Sequence, residues 1–122
     1  MALRSPWQRA ILRTIGDAAG YTGLILEPVA QAYTFDLYVP VGKRIKSMRC
    51  DISGGTSVDV ALQKNGTTIT GMSGTVTTAG LVLPAPVDGT ENIVPGDILS
   101  LLCSAPTGSP VDLAFAVIGY YV

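Results

Sequence analysis

Few residues of this 122-residue chain have side chains that could carry out chemistry. The chain has no histidine, the usual general base near neutral pH and the commonest transition-metal ligand. Ser-His-Asp and Cys-His catalysis are therefore excluded.

Cys50 and Cys103 each lie on the apolar side of an alternating segment, without a neighbouring motif that would activate a thiol. We interpret them as small core residues; a disulfide between them is the alternative, and it would need facing strands and an oxidising compartment.

Acidic residues are the next candidates. The segment DGTEN offers Asp88, Glu91 and Asn92 as oxygen ligands for Ca²⁺, but it lacks the alternate-position acids of a calcium loop and is typical of a solvated turn. Paired carboxylates also serve glycosidases, whose sites usually lie in a cleft with aromatic walls; the single tryptophan, Trp7, lies near the N-terminus. We predict no catalytic, cofactor-binding or metal-binding residue, and no enzymatic activity.

The clearest structural signal is a β-hairpin in the segment ALQKNGTTITG. Asn65 and Gly66 both accept the positive φ of a type I′ turn. The turn predicts that Lys64 pairs with Thr67, Leu62 with Ile69 and Val60 with Gly71. The predicted apolar face consists of Val58, Val60, Leu62 and Ile69, and the polar face of Asp59, Gln63, Thr68 and Thr70. A lone two-stranded ribbon is only marginally stable in water, so the apolar face needs a second layer.

Other segments alternate in the same way and end at turn residues. Gly96 and Asp97 form a predicted turn from which an apolar strand starts, with Asp97 accepting hydrogen bonds from nearby backbone N–H groups. Seven or eight short strands, with turn signals about every ten residues, indicate an all-β protein. We predict a single antiparallel β-sandwich of the jelly-roll or Greek-key type.

The first thirty residues have a different pattern. In SPWQRAILRTIG, Ser5 and Pro6 could start a short helix and Gly16 could end it. We predict a short helix or arm that docks on a neighbouring protein; the alternative is that it caps the open end of its own sandwich. The candidate docking residues are Leu3, Arg4, Trp7, Arg9, Ile11, Arg13 and Ile15.

The predicted organisation is an N-terminal arm and linker over 1–30 and a β-sandwich domain over 31–122. A secretory signal peptide is not expected, because Arg9 and Arg13 interrupt the apolar stretch.

Composition favours a protein that assembles. Hydrophobic residues make up 48% of the chain and charged residues only 14%, whereas about 25% charged residues are usual. No apolar run approaches the roughly 20 residues of a membrane helix, so we expect other protein subunits to cover the excess apolar surface.

The net charge of −1 favours neither nucleic acid nor a membrane as partner. Seven of the eight cations precede position 50, and six of the nine acids follow it. A molecule with this charge distribution can meet copies of itself head to side.

The stretches SGGTSVDVALQKNGTTITG and VPGDILSLLCSAPTGSPVDLAFAV together resemble small β-sandwich domains of tailed-bacteriophage virion proteins. The shared elements are Asn65-Gly66-Thr67, Gly96-Asp97-Ile98 and Asp112-Leu113, and the resemblance covers roughly positions 33 to 122. It implies a non-enzymatic structural protein, first of all a capsid decoration (cement) protein. Such a protein would form a homotrimer, bind the major capsid protein or another virion protein, need no cofactor, and be located in the virion after assembly in the host cytoplasm. A head-fibre, tail or baseplate component is the alternative within this class. From another class, a carbohydrate- or receptor-binding β-sandwich module remains open.

Overall fold

The computed structural model describes residues 11–17 and 20–121, with the side chains described over 20–121, and these residues form ten β-strands and no helix. The strands are β1 (Ile11–Asp17), β2 (Gly20–Leu26), β3 (Gln31–Asp36), β4 (Lys43–Ser53), β5 (Ser57–Lys64), β6 (Thr67–Val76), β7 (Leu81–Pro84), β8 (Asn92–Ile93), β9 (Leu99–Thr107) and β10 (Asp112–Tyr121).

The strands form two antiparallel sheets that pack face to face. The six-stranded sheet has the order β1-β2-β10-β4-β7, with β8 also paired to β4, and the four-stranded sheet has the order β3-β9-β5-β6. The pairs are nested along the chain: β5 with β6, β4 with β7, β3 with β9, and β2 with β10. Nested antiparallel pairs divided between two sheets are the jelly-roll arrangement. The predicted all-β sandwich is confirmed, with more strands than the seven or eight expected.

The hydrophobic core lies between the two sheets and is built by alternation along the long strands. In β9 the side chains of Leu99, Leu101 and Cys103 point inward, and in β10 those of Leu113, Phe115 and Val117 do so. Other fully buried side chains include Ile25, Tyr33, Ile45, Met48, Leu62, Ile69 and Met72. Outward-pointing residues therefore form two broad exposed faces, one on each sheet.

The predicted hairpin is confirmed at its turn and on its faces. Asn65 and Gly66 have φ values of 53° and 83°, Lys64 pairs with Thr67, and the four predicted apolar residues are all buried. The predicted pairing of Val60 with Gly71 is wrong, because Val60 pairs with Gly74 beyond an irregularity in the ladder. Gly71, with φ of 77°, lies in this irregularity, and the extra residues there allow both Ile69 and Met72 to point into the core.

The interpretation of the N-terminal region needs two corrections. Residues Ile11–Asp17 form an edge strand paired with β2 rather than the end of a helix, since the β-branched residues Ile11, Thr14 and Ile15 favour extended backbone. The linker predicted before position 31 contains a strand, because Gly20–Leu26 forms β2 between β1 and β10. The six-stranded sheet thus includes residues that the sequence pattern placed in the arm and linker. Leu3, Arg4, Trp7 and Arg9 lie outside the described residues.

Close contact between β2 and β10 explains why the apolar alternation of β2 is interrupted by a glycine. Gly23 points inward beneath the ring of Phe115, and a Cβ atom at position 23 would lie 2.5 Å from Phe115 Cζ. The ring of Phe115 also packs against Phe35, with centroids 5.3 Å apart. A glycine at the centre of a strand weakens the apolar alternation in the sequence, but here it makes room for a core aromatic ring.

Candidate functional site

The two predicted turns lie next to each other at one end of the sandwich. Asn65 Nδ2 donates a hydrogen bond to Asp97 Oδ1 at 2.9 Å, and Asn65 Oδ1 accepts one from the backbone N–H of Ile98. The other carboxylate oxygen of Asp97 accepts the N–H of Val94 at 2.9 Å. Gly96 has φ of 93°. These residues join the β5–β6 hairpin to the turn before β9.

A buried polar cluster lies between the sheets near the same end. Lys43 is only 5% exposed, and its Nζ donates to Tyr21 Oη at 2.9 Å. The Tyr21 hydroxyl in turn donates to Asp36 Oδ2. Burial lowers the pKa of Lys43, and the nearby carboxylate of Asp36 opposes that effect. Burial, followed by the hydrogen bond to Asp36, raises the pKa of Tyr21. The cluster links β2, β3 and β4.

Both cysteines are buried free thiols, as the core interpretation predicted. Cys50 lies on β4 and Cys103 on β9, so they belong to opposite sheets. Burial raises the pKa of each thiol to about 12. A nucleophile or a metal ligand would have to be the ionised thiolate. Neither thiol is ionised near neutral pH.

The outer face of the four-stranded sheet carries small, mostly uncharged side chains. We call it the hydroxyl face, defined by Ala32, Thr34, Asp59, Ala61, Gln63, Thr68, Ser73, Thr75, Ser100, Leu102 and Ser104. Several of these groups bond to each other across strands: the hydroxyls of Thr34 and Ser100 are 3.1 Å apart, and Thr75 Oγ1 donates to Asp59 Oδ1 at 2.7 Å. Among the described residues that define the face, Asp59 is the only ionisable one. A sheet surface with one charge over four strands has the charge depletion that is typical of interface centres.

The outer face of the six-stranded sheet has a different character. Arg44, Lys46 and Arg49 point outward along β4, while Lys43, from the same basic run, points inward. On β10, Tyr120 pairs with Arg44 and Ile118 with Ser47, and both side chains are about half exposed, at 47% and 48%. We call this surface the basic face. Asp51 also points outward from β4 on this face. Several charges would therefore have to be removed from water in a contact through the basic face, which makes it less suited to self-association than the hydroxyl face.

One edge of the basic face contains a cleft of about 340 Å³. Residues 85–91 connect β7 to β8, both of which pair with β4, and this loop forms one wall. The loop is attached to β4 by the Ala85 N–H donating to the Lys46 carbonyl and the Ile45 N–H donating to the Glu91 carbonyl. Side chains lining the cleft include Arg44, Lys46, Val87, Glu91, Asn92 and Tyr120.

The acidic turn singled out as a calcium candidate forms part of this loop. Asp88 Oδ1 accepts hydrogen bonds from the N–H and hydroxyl of Thr90, and Glu91 Oε1 accepts the N–H of Gly89 at 2.7 Å. Within the described residues, no group of three or more His, Cys, Asp or Glu could hold a metal ion. The carboxylates instead stabilise the loop that forms the cleft, which the sequence pattern did not reveal because the loop and β4 are distant in the chain.

Comparison with protein families, with curated proteins and with solved structures finds no match to this chain. In the part of the chain that the structure describes, no helix is long and apolar enough to span a membrane.

Proposed function

We propose that this chain is a non-enzymatic structural protein that works by assembling with copies of itself. The observation that carries the proposal is the hydroxyl face, which has a single ionisable residue, Asp59, over four strands. Its small side chains allow another backbone to approach closely, and its low charge keeps the desolvation cost of a contact small.

A second copy of this chain is the partner that fits this face best. Asp59 accepts a hydrogen bond from Thr75, which offsets part of the cost of removing its carboxylate from water. A face with several like charges would repel its own copy, but this one would not. A homotrimer is the assembly that the resemblance to virion proteins implies. Around a threefold axis, one part of the hydroxyl face of each copy would contact a different part of that face on its neighbour.

The location of this assembly rests on the resemblance alone. We place the chain in the bacteriophage virion, first as a capsid decoration protein bound to the major capsid protein, and alternatively as a head-fibre or tail component. Attachment to the particle is assigned to the N-terminal residues, with Trp7 as the largest apolar side chain among them. Neither nucleic acid nor a membrane is needed for this role.

A matched pair of variants tests the assembly face. Ala61→Arg places a long cation at the centre of the hydroxyl face, whereas Ala114→Arg places the same side chain on the outer face of the six-stranded sheet. Light scattering after size exclusion should give a lower mass for Ala61→Arg and an unchanged mass for Ala114→Arg. Equal masses for both variants and the unmodified chain would contradict the assignment of the face.

The virion location has its own test. Particles released by the organism that encodes the chain would be purified on a density gradient and analysed by mass spectrometry. Peptides of this chain should sediment with the particles, and a Trp7→Ala variant should be depleted from them while it keeps its solution mass. Absence of the unmodified chain from every particle fraction would contradict the virion role and leave the self-association result to stand separately.

A further inference from the structure

The cleft at the edge of the basic face has the features of a small ligand site. Its volume of about 340 Å³ lies at the lower end of the range for ligand sites, roughly 300 to 1,000 Å³. The loop that walls it is held by its own hydrogen bonds and by backbone bonds to β4, so the site is formed before any ligand arrives. This inference does not rest on the proposed self-association, which involves the opposite sheet.

Two cations in the cleft are placed to bind a carboxylate. Arg44 Nε donates to Asn92 Oδ1 at 2.8 Å, which orients the guanidinium and leaves its terminal amino groups available. Within residues 20–121, the ammonium of Lys46 makes no hydrogen bond or ion pair. Arginine binds carboxylates through two parallel N–H donors, and an oriented guanidinium loses less entropy when it does so.

The remaining groups fit a ring that carries hydroxyls. Tyr120 is about half exposed, at 47%, and its phenol has no hydrogen-bond partner in the described residues. Its ring offers an apolar surface, and Val87, at 97% exposure, lies on the loop opposite. The side-chain oxygens of Glu91 and Asn92 can accept hydrogen bonds that sugar hydroxyls donate. The Glu91 carboxylate would repel a phosphate dianion about twice as strongly as a singly charged carboxylate at the same distance, so the cleft favours the carboxylate.

We propose that this cleft binds a carboxylate-bearing pyranose, such as a uronic acid unit of a glycan. Arg44 and Lys46 would hold the carboxylate, Tyr120 would pack against the ring, and Asn92 would bond to a hydroxyl. Binding is non-covalent, and the site turns nothing over. The ligand is one sugar unit or two, as the volume of the cleft allows.

Titration of the ¹⁵N-labelled full chain with methyl glucuronide, followed by NMR, tests the proposal. Shifts are expected in the backbone amides of residues 44–46, 85–92 and 120. Methyl glucoside, which has the same ring without the carboxylate, should bind about tenfold more weakly or worse, because a charge-assisted hydrogen-bond pair is lost. Acetate, which has the carboxylate without the ring, should also bind more weakly.

Variants at matched positions assign the contact. Arg44→Gln should weaken glucuronide binding by about tenfold, while Arg49→Gln, on the same strand and face but outside the cleft, should change it by less than about twofold. Tyr120→Ala should weaken glucuronide binding and leave acetate binding unchanged. A well-dispersed spectrum for each variant shows that it is folded.

Three results would overturn the proposal. The first is the absence of localised shifts with glucuronide at tens of millimolar. The second is equal loss of binding in Arg44→Gln and Arg49→Gln, which would indicate a diffuse charge effect. The third is equal affinity for acetate and glucuronide, which would show an anion contact without recognition of a sugar.

Discussion

Asn65 and Asp97 are 32 positions apart in the chain, and their side chains meet in a hydrogen bond of 2.9 Å. The Asp97 carboxylate also accepts the N–H of Val94, and Asn65 also accepts the N–H of Ile98. Each residue therefore stabilises its own turn and the contact between the turns. Because Asp97 is 8% exposed, water has little access to replace these bonds.

We expect Asp97→Ala to lower the free energy of unfolding by about 1–3 kcal/mol, since Asn65 and the Val94 N–H lose an acceptor at once. Asn65→Gly keeps a residue that accepts positive φ and removes only the side chain. Urea unfolding of both single variants and the double variant gives the coupling energy between the two positions. A coupling energy near zero would show that the side-chain bond contributes nothing to stability.

The buried Lys43–Tyr21–Asp36 cluster predicts a large cost for a small change. Tyr21→Phe removes the hydroxyl that bonds to both charged side chains. We therefore expect it to lower the free energy of unfolding by about 1–3 kcal/mol. Tyr33→Phe is the matched control, because the Tyr33 hydroxyl bonds to uncharged groups, the backbone of Val29 and the side chain of Gln31. Thermal unfolding should show the larger loss for Tyr21→Phe, and the reverse order would mean that the cluster is not stabilising.

Gly23 should tolerate no side chain. With a Cβ atom 2.5 Å from Phe115 Cζ, Gly23→Ala forces the core to rearrange and should cost about 1–3 kcal/mol. Phe115→Leu removes the clashing ring atoms, so the double variant Gly23→Ala with Phe115→Leu should lose less than the sum of the single losses. Full additivity in chemical denaturation would argue against the contact between β2 and β10.

The buried thiols predict a loss of stability at alkaline pH. Thiols in the unfolded chain ionise near the ordinary cysteine pKa of 9.0, whereas burial raises the pKa of Cys50 and Cys103 to about 12 in the folded chain. The folded thiols bind protons that the unfolded ones release, so this stabilisation is complete below pH 9 and is lost as the pH rises towards 12.

Within that window, the free energy of unfolding should fall by about 1.4 kcal/mol per pH unit for each thiol. Cys103→Ala removes one of these contributions and leaves the tyrosines and Lys43 in place. Urea midpoints measured from about pH 8 to about pH 10.5 should therefore fall less steeply for Cys103→Ala than for the unmodified chain. Identical slopes would show that the thiols ionise alike in the folded and unfolded states.

Local patterns in the sequence predicted some features of this fold well. The Asn65-Gly66 turn and the buried residues of the hairpin follow from two neighbouring residues and strict alternation. The β-sandwich follows from the spacing of such segments. The assignment of Cys50 and Cys103 to the core likewise needed only their place in an alternating strand.

Features that depend on distant contacts were not predictable in this way. β2 has a glycine at its centre because Phe115, far along the chain, occupies the space above it. The altered register beyond Gly71 depends on how Met72 packs into the core. The basic run from 43 to 49 gave no sign that Lys43 would turn inward to Tyr21, or that Arg44 and Lys46 would line a cleft closed by residues 85–91.

The solution mass of the 122-residue chain at micromolar concentration tests the central claim most directly. Light scattering coupled to size exclusion should give three times the 12.7 kDa mass of one chain, since the hydroxyl face is proposed to bind copies of itself in a trimer. A mass of one chain over the whole concentration range would contradict self-association and leave the hydroxyl face without its proposed partner.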